Sequence, residues 1–150
     1  MTLDRESELG LVADAPAAAA FLTGRGGVLH NPTDSDPGTW WAELYPGSDP
    51  QETSYARIAW RVYPSAAPSV KFAKEMGESL TDPTAWPVIP GYRPGALDIC
   101  KPFTAEGFAL HPDWAASSQA WSTEGNPFLA VVRELQRNLN SAGYQGRFAG

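Results

Sequence analysis

Three strand-like runs separated by turn residues lie between Thr39 and Phe72, and they restrict the fold more than any other feature. "TWWAELY" (39–45) is rich in aromatics, and "PGSDPQE" follows it as a polar tip. "YARIAWRV" (55–62) alternates, with Ile58, Trp60 and Val62 on one face and Arg57 and Arg61 on the other. "SVKF" (69–72) sets Val70 and Phe72 on one side. Alternation over short runs bounded by Gly, Pro, Ser and Asp predicts an antiparallel meander with one buried face. Trp40, Trp41 and Trp60 fall at strand spacing and read as core and sheet-face residues.

Helical patterns flank the meander. Residues 3–22 are helix-prone, from Leu3, Leu9, Leu11 and Val12 through an alanine run to Phe21 and Leu22. Pro16 is expected to divide this segment or to start its second piece, and "TGRGG" (23–27) reads as a turn. Near the other end, Asn126 suits an N-cap and Pro127 the first helical position. Phe128, Val131, Val132, Leu135 and Leu139 follow helical spacing, and Gly143 is a plausible stop. Between these parts, residues 77–126 are irregular, with prolines at 83, 87, 90, 94, 102 and 112. A short strand or helical turn is expected there only near 117–121, and so long an irregular stretch in a compact domain points to function. The layout is α+β, with helices against one face or end of an antiparallel sheet. It reads as one domain over 1–150, a helical segment at about 3–22 and a core at about 26–142.

Charge and composition exclude several classes. The 150 residues carry 11 basic and 17 acidic side chains, and only Lys71, Lys74 and Lys101 are lysines. No basic stripe is available to neutralise phosphates, so nucleic acid is not an expected partner. The longest apolar run, "APAAAAFL", is too short to span a bilayer, and the acidic N-terminus lacks the pattern of a secretory signal. The expected compartment is the cytoplasm. Two histidines and one cysteine at these spacings form no zinc site, and "TGRGG" lacks the ending of a phosphate loop. Neither a metal nor a bound cofactor is expected.

The single cysteine, Cys100, lies in "GALDICKPF". Lone cysteines commonly pack as small apolar residues, yet Pro94 and Pro102 bracket this one and favour an extended, poorly paired backbone at the surface. Asp98 would raise the thiol pKa and Lys101 would lower it. Nucleophile and packing residue both stay open on these residues alone. His111, in "LHPDW", is a candidate proton shuttle or oxyanion donor if its loop folds back over Cys100, against a bland reading as a turn histidine. Asp113 and Glu106 are candidate general bases, or simply solvated carboxylates. His30 reads as a loop residue. Trp114 and Trp121 would shape a partner groove or pack.

The stretch "WWAELYPGSDPQETSYARIAWRVYPSAAPSVKF" (40–72) resembles the meander of ubiquitin-conjugating enzymes, and "YPSAAPSVKF" is its most specific part. In that family a catalytic cysteine follows the Tyr-Pro segment by roughly thirty residues, and a tryptophan and an amphipathic helix come next. Here Ile99-Cys100, Trp121 and the helix from Pro127 stand in that order, so the resemblance spans roughly 40–140. The family's His-Pro-Asn motif has no counterpart, since this chain reads "PGYRPGALDIC"; Tyr92 stands at about the place of the missing asparagine. Extra residues separate Cys100 from Trp121, and the chain stops soon after the helix. These departures make it similar to divergent members in bacterial ubiquitin-like conjugation systems.

The resemblance implies a ubiquitin-conjugating fold and a transferase that carries a ubiquitin-like protein as a thioester on Cys100. An adenylating activating enzyme, which itself uses ATP, would supply the modifier, and an amine on an acceptor protein would receive it. The second step gains from an oxyanion donor and a group that helps deprotonate the amine. Tyr92, through its hydroxyl, His111 and Asp113 are the candidates for those tasks, and packing is the other role open to Tyr92. A non-catalytic module of the same fold, binding a ubiquitin-like protein or scaffolding a complex, is the alternative. A thiol-dependent hydrolase would require His111 within hydrogen-bond reach of the Cys100 sulfur.

Overall fold

Alternation in the three runs does bury one face of a sheet, and a fourth strand joins them. The computed structural model describes residues 3–150. Strands β1 (Val28–His30), β2 (Thr39–Leu44), β3 (Ser54–Ala59) and β4 (Ser69–Ala73) form an antiparallel sheet in sequential order. Trp40 faces Ile58, which faces Val70, and Ala42 faces Ala56, which faces Phe72; all six are buried. Trp41, Arg57 and Lys71 form the matching row on the other face and are only half-buried. Val62 lies beyond the end of β3 and is half-buried as well. Strand β1 follows the "TGRGG" turn and has only three residues, too few for periodicity to reveal.

Helix α1 (Arg5–Thr23) is continuous, and Pro16 neither divides it nor starts a second piece. A proline within a helix removes one bond, here the one that the Val12 carbonyl would accept. Val12 is 61% exposed, so water can satisfy that carbonyl. The buried stripe is Leu11, Ala15, Ala18 and Leu22, whereas Leu9 is 52% exposed. Asp4 caps the helix, accepting from the Ser7 N–H at 2.9 Å and the Ser7 hydroxyl at 2.7 Å. These bonds hold its carboxyl below the usual range.

Helix α3 (Pro127–Leu139) follows the pattern in the sequence: Asn126 accepts from the Leu129 N–H at 2.9 Å, and Phe128, Val131, Val132, Leu135 and Leu139 are all buried. It ends at Leu139, before Gly143, which packs so closely on Pro90 that a Cβ would lie 2.8 Å from the ring. Helices α1 and α3 pack together over the inner face, where Trp40 meets Phe128 edge-on at 5.1 Å. The architecture is therefore α+β, with an N-terminal helix, a four-stranded antiparallel sheet and a C-terminal helix.

Tyr63 ties these parts together. Its hydroxyl donates to Asp14 on α1 and accepts from the Phe128 N–H at 3.1 Å, while its own N–H donates to Ser7 Oγ at 2.8 Å. Burial and the Asp14 bond push its phenol pKa well up. Gly10 makes the approach possible, because a Cβ there would lie 2.9 Å from the Tyr63 ring. Residues beyond α3 return to the body: the Phe148 N–H donates to the Trp86 carbonyl at 2.8 Å and Val88 to Gly146 at 2.7 Å. No helix among the described residues is long and apolar enough to cross a membrane.

Candidate functional site

The segment around Cys100 is more ordered than its prolines suggested. Strands β5 (Tyr92–Arg93) and β6 (Asp98–Ile99) form a small hairpin with Tyr92 opposite Ile99 and Arg93 opposite Asp98. Pro94 sits in the turn, where its fixed φ suits the second position; the Ala96 N–H closes it on the Arg93 carbonyl at 3.0 Å. Side chains alternate across such a ribbon. Tyr92 and Ile99 are buried against the core, and Arg93 and Asp98 pair on the opposite face. Cys100, a free cysteine, comes next, its N–H donating to the Gly91 carbonyl at 2.7 Å, and the residue is half-buried.

The charges around the thiol are arranged in a way the sequence did not reveal. Arg93 donates to both oxygens of Asp98, from Nε at 2.7 Å and from NH2 at 2.8 Å. The hydrogen bond and charge of Asp98 raise the Arg93 pKa, and Cys100 pulls weakly in the same direction. Asp98 therefore does not face the thiol as a bare negative charge. Lys101 lies with its stem over Gly91, where a Cβ would be 3.0 Å from Lys101 Cε. Gly91 is at φ +91°, a conformation glycine adopts without penalty.

Thr104 closes the loop beyond Cys100. Fully buried, it donates from Oγ1 to the Ile99 carbonyl at 2.7 Å and accepts from the Gly107 N–H at 3.0 Å. The second bond caps helix α2 (Ala105–Leu110), a six-residue element within the stretch expected to be irregular. The cap was the one local signal for it, a threonine before "AEG". Gly107 lies so close to the loop that a Cβ would come 2.2 Å from the Lys101 carbonyl. Glu106 anchors the same helix to β4, accepting from Ser69 Oγ at 2.5 Å and from the Val70 N–H at 3.2 Å.

The other candidates lie elsewhere. The Tyr92 hydroxyl donates to Asn138 on α3 at 2.9 Å in the core, where desolvation drives its pKa far up. His111 ends α2 and stacks on Trp114, with ring centroids 4.3 Å apart. Asp113 is exposed in a 3-10 turn at Pro112–Ala116, which is the helical turn of this region, and residues 117–121 form no strand. Among the described residues no hydrogen bond joins the Cys100 sulfur to Tyr92, His111 or Asp113. His30 pairs with Glu43 at 2.5 Å on the outer face of the sheet. No group of three metal-ligating side chains occurs among the described residues.

A cleft of about 390 Å³ begins one residue beyond the thiol. Lys101, Pro102 and Phe103 form one wall, the 118–122 segment another, and Ala130, Val131, Glu134 and Arg137 of α3 the third. Trp121 anchors the middle wall, donating from its indole N–H to the Pro64 carbonyl at 2.7 Å and lying 6.1 Å from Trp60. A larger cleft of about 540 Å³ separates α1 from the 31–37 loop and contains no residue of the Cys100 hairpin. No family model, curated protein or solved structure matches this chain.

Proposed function

We propose that the chain is a ubiquitin-conjugating-like carrier with Cys100 as its nucleophile. The observation that carries this reading is the presentation of the thiol. Cys100 is free and half-buried at the end of a hairpin whose inner face is locked into the core, and the next residue, Lys101, lines an open cleft. A packing cysteine would belong with Ile99 on the buried side instead. The thiolate would attack the thioester on an activating enzyme and release that enzyme's own thiolate. An amine would then attack the new thioester, lose a proton and expel Cys100. Neither step needs a metal or a bound cofactor. The modifier would be a ubiquitin-like protein, and the acceptor an amine-bearing protein.

The alternative, a non-catalytic module of the same fold, draws support from the engagement of the Tyr92 hydroxyl by Asn138 and of the His111 ring by Trp114. A charging assay divides the two readings. The protein is mixed with ATP, a ubiquitin-like protein and the activating enzyme that charges it, then run on a non-reducing gel. A band heavier by one modifier, erased by reductant and lost in Cys100→Ala, is the expected result. Charging of the activating enzyme without that band would favour the binding module.

A further inference from the structure

Leu97 is the one non-glycine residue at positive φ among the described residues, at +57°, and it stands three positions before Cys100. Leucine has no local means of favouring this conformation, so the surrounding structure must hold it there. Its side chain packs against the core, its N–H donates to the Pro94 carbonyl at 3.2 Å, and its own carbonyl is held by a side chain from the main sheet. Lys71, on β4, donates from Nζ to the Leu97 carbonyl at 2.6 Å. Its neighbour across the sheet is Arg57, so the lysine reaches from the outer sheet face to the tip of the hairpin. Beside the turn of the same hairpin, Arg93 and Asp98 close their bidentate pair.

We propose that Lys71 is a positioning residue for Cys100, clamping the β5–β6 hairpin to the sheet through the Leu97 carbonyl. The consequence for chemistry rests on the carrier reading above; the clamp itself does not. Two-residue strands hold few ladder bonds, and an isolated hairpin of this size opens readily in water. Burial of Tyr92 and Ile99 anchors its inner side, and the charge-assisted bond from Lys71 holds the turn that this burial does not reach. Without it Leu97 can leave the left-handed region, the turn relaxes, and the Cys100 N–H loses its fixed partner at Gly91.

Amide hydrogen exchange on the full chain tests this directly. In Lys71→Met the amide of Cys100, bonded to the Gly91 carbonyl, should exchange roughly tenfold or more faster, while those of β2 and β3 and the urea midpoint stay near wild type. Lys71→Arg keeps a long cationic donor and should restore most of the protection. Lys71→Gln serves in the same comparison if the methionine variant does not fold. Unchanged exchange at Cys100, or an equal rise across the whole sheet, would overturn the clamp. In the charging reaction Lys71→Met should lower the maximal rate of thioester formation, leave the KM for the charged activating enzyme unchanged, and recover in Lys71→Arg. A faster-exchanging hairpin in a protein whose wild type never charges would keep the clamp and discard the carrier reading.

Discussion

The two halves of this molecule are held together differently. From Trp40 to Phe72, and again from Phe128 to Leu139, stability lies in a shared apolar face to which every second or every third-to-fourth residue contributes. From Leu80 to Trp121 the apolar anchors are scattered, at Ala85, Trp86, Ile89, Tyr92, Ile99 and Phe103, and single named bonds hold the backbone between them: Thr104 to the Ile99 carbonyl, Lys71 to the Leu97 carbonyl, Glu106 to Ser69, and Trp121 to the Pro64 carbonyl. A face is redundant and non-directional, whereas a single bond is directional and local. The first half therefore makes the scaffold, and the second can hold one side chain at its surface with little slack. The candidate nucleophile is in the second.

The sharpest test of this contrast is to damage each half and compare the reach of the damage. Phe128 is fully buried between Trp40 and Trp60, so Phe128→Ala should lower global stability by about 3–5 kcal/mol. Urea unfolding followed by tryptophan fluorescence would measure it, and a loss confined to α3 would break the distinction.

Alkaline pH probes where the halves meet, because Tyr92 on the hairpin bonds Asn138 on α3. Burial raises the Tyr92 pKa above the ordinary value of 10.0, so the folded state keeps a proton that the unfolded chain releases. The contribution is complete below pH 10 and is lost as pH rises above it, by about 1.4 kcal/mol per pH unit for this tyrosine. Urea midpoints between pH 9 and 11 should fall more steeply in wild type than in Tyr92→Phe. Equal slopes would show that Tyr92 is not the group responsible.

Gly10→Ala sets a local preference against a tertiary contact. Alanine favours a helix interior by about 1 kcal/mol over glycine. The new Cβ would meet a Tyr63 ring that Asp14 and Phe128 hold in place, so the net effect should be a loss of about 1–2 kcal/mol. A stabilised variant would show that the ring can move.

Thr104→Val should have the smallest global effect, about 1 kcal/mol, by removing the α2 cap and the bond to Ile99. Its effect on amide exchange should concentrate in residues 99–110. A uniform rise across the sheet would show that the second half is not locally stabilised.

The same contrast explains what could be read from the sequence. Alternation exposed the buried sides of β2, β3 and β4, and 3.6-residue spacing with an Asn-Pro start exposed α3. In each case many residues repeat one preference. Strand β1 and helix α2 are too short to repeat anything, so their order comes from partners: β2 for one, Ser69 and the Cys100 loop for the other. Pro16 misleads because a local rule about missing N–H groups does not register that the Val12 carbonyl can reach water. At the candidate site, the neighbours of Cys100 in sequence were visible, including the opposed charges of Asp98 and Lys101. That Arg93 engages Asp98, or that Lys71 supports Leu97 across 26 positions, has no sequence signal.

By itself, then, the sequence determined the α+β class, the inner face of the meander, the terminal helix and the bracketed thiol. Each of these follows from preferences that neighbours along the chain share and reinforce. Tertiary structure alone decided which tyrosine hydroxyl is spent in the core, which carboxylate is engaged, and which lysine holds the hairpin. Those outcomes depend on single directional bonds between residues far apart in the chain, and such bonds exist only after the apolar faces have brought their partners together.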